Sequence, residues 1–207
     1  MKPGLRMALS LVALALAGSP ALAQGIIDEW SSVKAPPPPP LKPVTVDDKT
    51  TALLMLDFLN QNCAPRPRCA ASIPKVAKLA ASAREKGVTV IYSVFPSAKA
   101  ADVVPALTPK SGEGMVSGGS DKFIGTDLEK MLKDKGIKTV IVVGTGANGA
   151  VLYTASGAAM RGFQVIVPVE GMSTESLYAE QFTAWELANA PTVAQKVTLT
   201  SLATVNF

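Results

Sequence analysis

Residues 139–162, TVIVVGTGANGAVLYTASGAAMRG, decide the fold. Lys138 to Val143 (KTVIVV) reads as a strand that is apolar on both faces, as a strand covered by helices on either side must be. Gly144 to Ala150 makes a tight Gly-rich turn, and a helix runs from it to Arg161 and stops at Gly162. A strand feeding a helix through a short turn is the building unit of parallel α/β sheets.

The same alternation extends outward in both directions. Upstream, Ala52 to Leu56 (ALLML) is an apolar run ending at Asp57, and Val88 to Phe95 (VTVIYSVF) is a second buried strand. Between them Ser72 is read as the cap of a helix to Lys86, with Gly87 as its stop. Pro96 to Gly119 reads as a long irregular stretch rich in Pro, Gly and Ser, and loops of that length usually carry function. Thr126-Asp127-Leu128-Glu129 is a capping box that opens a helix to Lys135. Downstream, Gln164 to Val169 (QVIVPV) is a strand, Glu175 to Ala190 a helix ended by Pro191, and Lys196 to Thr200 (KVTLT) a last strand. The expected fold class is a three-layer α/β/α sandwich on a mostly parallel, Rossmann-like sheet, one domain from residue 50 to 207.

The N-terminal part has a different character. Lys2 and Arg6, the apolar run Met7 to Ala17 and Ala21-Leu22-Ala23 read as a secretory signal, residues 1–23, cleaved before Gln24. The run falls short of the roughly 20 residues that span a bilayer, so no stable membrane insertion is expected after cleavage. Residues 24–49, with Pro36 to Pro40, read as a Pro-rich arm or linker in polyproline II, the folded part starting near Val44. A periplasmic or secreted location follows.

Composition removes whole classes of chemistry. The chain of 207 residues has no His, which excludes Ser-His-Asp and Cys-His triads and His-rich metal sites. No metal or other cofactor is expected. Two Cys rule out a four-thiolate zinc site. Without Lys2 and Arg6, eighteen basic residues face sixteen acidic ones, a surplus of +2 that gives no reason to invoke nucleic acid.

The turn admits more than one reading. Gly144-Thr145-Gly146-Ala147-Asn148-Gly149 fits G-x-G-x-x-G, and Glu170 closes the next strand where a ribose-binding acid belongs. Against a dinucleotide stand the 58 residues after Gly149, too few for a second mononucleotide half. Glycines that merely allow close backbone approach are the plainer alternative.

Four blocks in order resemble the isochorismatase-like hydrolases, the cysteine hydrolase superfamily: Thr51 to Asn60 (TALLMLDFLN), Phe123 to Gly136 (FIGTDLEKMLKDKG), Thr139 to Gly162, and Val165 to Ser173 (VIVPVEGMS). The resemblance implies that Asp57 holds the acid/base carboxylate. It further implies a non-proline cis peptide at Thr145–Gly146, with the amides of Gly146 and Ala150 forming an oxyanion hole that Ala147 and Asn148 help build. Two positions depart from the pattern. The family's nucleophilic Cys falls on Ala150, which has nothing to attack with. The family's Lys, six residues before the Phe, falls on Ser117. Lys122 takes over that cation role if the Ser111–Ser120 loop folds differently, and is otherwise a solvated Lys on another side of the chain.

The resemblance also implies a route that needs no Cys, because isochorismatases proper carry Gly at that position and cleave a vinyl ether by acid chemistry. A carboxyl at a buried strand end, raised by desolvation, suits that proton transfer, and without a partner Lys nothing opposes the rise. Asp57 as a plain turn-binding Asp is the structural alternative. Asn60, Gln61 and Asn62 are candidates to hydrogen-bond a polar ligand or to be loop solvation. Phe58, Phe95, Phe123 and Tyr153 are candidates for pocket walls or core. Asn148 is a candidate helix cap. In an oxidising compartment Cys63 and Cys69 form a disulfide beside the site mouth, or stay as two thiols. The expected function is hydrolysis of a small metabolite through Asp57 without a Cys nucleophile. The alternatives are a degenerate member that binds a small molecule or a partner, and a dinucleotide-binding protein. A homo-oligomer is implied by the resemblance, with the helix near Ala184 to Ala190 as contact.

Overall fold

The computed structural model describes residues 25–207. The expected signal segment, residues 1–23, lies outside them. Two compact units divide the chain at Ala35 and Pro36. In the first, a single helical turn, α1 (Ile26–Glu29), is followed by a 3-10 turn (Trp30–Ser32), and Ile26, Ile27, Trp30 and Val33 are exposed.

The second unit is built on parallel strands. In chain order they are β1 (Val44–Thr45), β2 (Thr51–Leu56), β3 (Thr89–Val94), β4 (Gly114–Ser117), β5 (Thr139–Thr145), β6 (Gln164–Pro168), β7 (Met172–Ser173), β8 (Val197–Thr200) and β9 (Val205–Asn206). The main sheet runs β4-β3-β2-β5-β6-β8, every pair parallel, and β7 adds to the end of β5. The helices are α2 (Asn60–Cys63), α3 (Pro67–Glu85), α4 (Leu128–Asp134), α5 (Leu152–Met160) and α6 (Leu177–Asn189). Among the described residues no helix is long and apolar enough to cross a membrane.

Strand alternation divides the core. Leu53, Met55, Tyr92, Ile141 and Val143 pack with Val76, Leu79, Ala80 and Ala83 of α3. Leu54, Leu56, Val140 and Val142 pack with α4, α5 and α6 through Leu128, Leu132, Leu152, Ala155, Ala158 and Leu187. All six residues of β2 are buried, because both of its faces are covered. The result is the three-layer α/β sandwich expected from the alternation, with β2 and β5 at its centre.

Three sequence expectations change. The arm expected to reach Lys49 joins the fold earlier: the amide of Lys42 donates to the carbonyl of Leu199 at 2.9 Å, and β1 pairs with β9. Helix α3 starts at Pro67 rather than Ser72, since proline is pre-set for the first helical position, and the Ser72 hydroxyl bonds back to the carbonyl of Cys69. The Pro96–Gly119 stretch contains β4, an edge strand too short to show a period.

Candidate active site

The centre of the sheet ends in a turn of unusual backbone. At the end of β2, Asp57 takes φ +54, a left-handed conformation that Asp tolerates better than most residues. Its own amide still donates to Ser93 at 3.2 Å, while its carbonyl accepts the amide of Leu59 at 2.7 Å and Nδ2 of Asn62 at 2.9 Å. The backbone at Asp57 is therefore held from both sides, which fixes where the carboxylate points.

That carboxylate is fully buried and has two side-chain partners. The Ser93 hydroxyl donates to Oδ1 at 2.8 Å. Lys122 Nζ lies 2.8 Å from Oδ2, with both side chains at 1% exposure or less. The contact is ionic, and Oδ2 accepts no aligned hydrogen bond from the described residues. Lys122 is itself anchored: Nζ donates to the carbonyl of Gly118 at 3.0 Å and sits 5.4 Å from the centre of the Phe95 ring. Its backbone amide donates to Oγ1 of Thr154 on α5 at 3.1 Å. Burial pushes the Asp57 carboxyl above its ordinary value of 3.8, and Lys122 and Ser93 oppose that rise without cancelling it.

This arrangement corrects the reading of the cation position. Ser117 ends β4 on the exposed side and lines a small cleft with Met115, Thr126 and Met131, away from Asp57. The chain turns back after Gly118, so that Lys122 reaches a carbonyl four residues behind it. A count backward from Phe123 misses this reversal. Lys122 is neither solvated nor on another side of the chain, and Asp57 does not lack a cation.

Beside Asp57 lies the Gly-rich turn. Leu56 pairs with Gly144 across the sheet, so the ends of β2 and β5 are adjacent. A Cβ on Gly144 would meet Leu56 Cβ at 2.6 Å and its carbonyl oxygen at 2.7 Å, so only glycine lets the strands close here. The Thr145–Gly146 peptide is cis. Ala147 to Val151 then form one π-helical turn leading into α5, with Ala147 and Ala150 buried. The carbonyl of Gly146 accepts the amides of Gly149 at 3.1 Å and Val151 at 3.3 Å. Ala150 contributes a methyl group to the apolar cluster of α5 and nothing nucleophilic.

The remaining candidates separate. Asn62 faces Asp57, whereas Asn60 and Gln61 are exposed on α2. Phe58 and Phe123 belong to the core, Phe123 stacking on Phe163 with ring centres 6.1 Å apart, and Tyr153 is exposed. Asn148 does not cap α5, since its Oδ1 accepts the Thr174 hydroxyl at 3.2 Å. Glu170, the ribose acid of the dinucleotide reading, is taken by Ser201 Oγ at 2.7 Å and the amide of Leu202 at 3.0 Å. Cys63 and Cys69 are joined in a disulfide that closes the loop after Asn62. Ser93 and Thr154 were missed. A small polar residue within the run Val90 to Val94 (VIYSV) is the signal for Ser93, and Thr154 gives none because it lies inside a helix.

Residues 51–201 match the family model of the isochorismatase domain. The secreted isochorismatase effector of Verticillium dahliae is 25% identical over 149 residues, 65% of this chain and 78% of the effector. N-carbamoylsarcosine amidase of an Arthrobacter species is 28% identical over 145 residues, 56% of this chain and 55% of the amidase. Among solved structures, an isochorismatase family protein of Desulfovibrio vulgaris superposes with a TM-score of 0.68 at 22% identity, covering 75% of this chain and 95% of that one.

Proposed function

Since the chain belongs to the isochorismatase family, we propose that it is an exported hydrolase of a small metabolite that works through Asp57 and Lys122 without a cysteine nucleophile. The observation that carries this reading is the buried Asp57–Lys122 pair, 2.8 Å apart, at the strand end adjoining the cis-peptide turn. Holding two ions out of water costs several kcal/mol each before their attraction is counted, roughly, so such a pair invites a use for its charge.

The chemistry that asks least of Ala150 is cleavage of an enol ether. Asp57 acts here in its protonated form, which burial favours and Lys122 disfavours: the carboxyl gives its proton to the vinyl carbon, and the oxocarbenium ion that results takes up water. The hemiketal so formed breaks its carbon–oxygen bond to give a carbonyl compound and an alcohol. The proton shed by the water returns to Asp57. Lys122 stabilises the carboxylate present between the two transfers, and the Gly146 and Ala150 amides hold a negative oxygen of the substrate. Lys122 thus takes the cation role for which the family resemblance pointed to position 117.

A periplasmic or secreted location is supported by the signal-like residues 1–23, by the disulfide and by the secreted fungal relative. Self-association through α6 is supported by the exposed stripe Tyr178, Phe182 and Trp185. A second reading, binding without turnover, is favoured by one observation: the nucleophile position carries only a buried methyl group. The two readings part in a hydrolysis assay on vinyl ethers, amides and esters, with Asp57→Asn run beside the native protein. The expected result is turnover of a vinyl ether, reduced about 10²–10⁴-fold in Asp57→Asn. No turnover on any substrate class, or equal turnover by both proteins, removes the Asp57 chemistry and leaves the binding reading.

A further inference from the structure

Glu180 is a buried carboxylate that the proposed chemistry does not use. It stands near the start of α6 with 8% of its surface exposed. Arg68, in the first turn of α3, grips it with two prongs: Nε donates to Oε1 at 2.7 Å and Nη2 donates to Oε2. Oε1 also accepts the amide of Thr174 at 3.0 Å. One carboxylate thus ties α3, α6 and the segment after β7 together.

Thr174 passes this restraint onward. Its hydroxyl donates to Asn148 Oδ1 at 3.2 Å, and its Oγ1 lies 3.3 Å from the point a Cβ on Gly146 would occupy. Thr174 therefore bonds Asn148 in the π-helical turn and fills the space beside Gly146, the residue just before it. Arg68 precedes Cys69, whose disulfide to Cys63 ties the first turn of α3 to α2, and Arg66 pairs with Glu175 at 3.0 Å. The route runs from a cross-linked loop, through a charge-assisted contact, to the backbone of the turn.

We propose that Glu180 is a positioning residue: through Thr174 it fixes the Gly146–Ala150 turn, with Arg68 as the counter-charge that makes its burial tolerable. The proposal rests on reading that turn as part of the reacting site. A carboxylate accepting three donors has little freedom left, so the Thr174 amide, and with it the Thr174 hydroxyl, keeps one position. If Glu180 served only to fasten α6, its loss would loosen the molecule generally rather than this turn.

The test is hydrogen exchange of the Gly149 and Val151 amides, both bonded to the Gly146 carbonyl, with the β3 amides as internal reference. Native protein is compared with Glu180→Ala, Thr174→Val and Thr174→Ser. Thr174→Val keeps the buried carboxylate and Arg68 intact, so it serves if Glu180→Ala does not fold. The expected result is exchange about tenfold faster at Gly149 and Val151 in Glu180→Ala and Thr174→Val, native rates in β3, and recovery in Thr174→Ser. In protein that turns over, kcat falls in the first two variants and KM stays. Unchanged turn amides, or equal acceleration in β3, overturn the proposal. A loosened turn in a protein without turnover removes the hydrolase reading and leaves the positioning; turnover with an unloosened turn does the reverse.

Discussion

Two regions of the molecule hold lysine–carboxylate pairs at nearly the same distance. On the outer face of α4, Lys130 meets Asp134 at 2.5 Å and Lys133 meets Glu129 at 2.6 Å, with every side chain at least 37% exposed. At the end of β2, Lys122 meets Asp57 at 2.8 Å with no more than 1% exposed. Separation does not rank these pairs; surroundings do. The α4 lysines point into water, where screening and lost side-chain freedom offset most of the attraction. Lys122 has given up its water for a carboxylate, the Gly118 carbonyl and the Phe95 ring. A pair in water can be lost at little cost, whereas half of a buried pair is a liability.

Lys122→Met is the largest break of this comparison. It leaves the Asp57 carboxylate buried without its cation, and the expected loss is about 3–5 kcal/mol in urea unfolding, together with turnover. The double variant Asp57→Asn/Lys122→Met regains part of that stability, because neither group is then an uncompensated ion. A Lys122→Met protein no less stable than Lys130→Ala would place Lys122 in water and dissolve the contrast.

A titration sharpens the contrast because the two regions slope in opposite directions. The folded state raises the Asp57 pKa above 3.8, so it binds this proton more tightly than the unfolded chain does. Stability from Asp57 is therefore full below 3.8 and is lost as pH rises through the raised value. Lys133 holds the Glu129 carboxyl below its ordinary 4.5, with help from Arg161. Its contribution is present above 4.5 and fades as pH falls through the lowered value. Urea midpoints measured across this acid range show the effects as differences. The native protein minus Asp57→Asn declines with rising pH, and the native protein minus Glu129→Gln increases. A flat Asp57 difference means that its carboxyl is not raised.

The same contrast explains how far the sequence could be read. The strands were legible because doubly covered strands are continuous apolar runs, as in Thr51–Leu56 and Thr139–Val143. Asp57 was legible as the first charge after such a run. Lys122 was misplaced because the count back from Phe123 assumed an extended approach, while the chain between Gly118 and Lys122 doubles back on itself. A loop reversal of that kind leaves no period, and β4 escaped for a related reason, being four residues on an edge. The Glu180 network was not legible either, since Arg68 and Glu180 are 112 residues apart and only the packing of α3, α6 and the turn brings them together.

The smallest effect lies wholly within the exposed region. In Glu129–Lys133 the acid precedes the base by four residues, the order that suits the helix dipole, while Lys130–Asp134 has the reverse order. Glu129 also accepts Arg161 Nε at 3.1 Å, which ties α4 to the end of α5. Two cations converge on Glu129, but Lys130 has a single partner. Double-mutant cycles at low salt should therefore give a larger coupling for Glu129 with Lys133 than for Lys130 with Asp134. Both couplings should shrink as salt is added, because each side chain is open to counterions. The Asp57–Lys122 coupling, read in the same cycles, should move much less with salt, since no more than 1% of either side chain is exposed to bulk counterions. If it falls in parallel with the α4 pairs, salt screens the pair at the end of β2 as it screens a surface pair, and burial does not set the two regions apart.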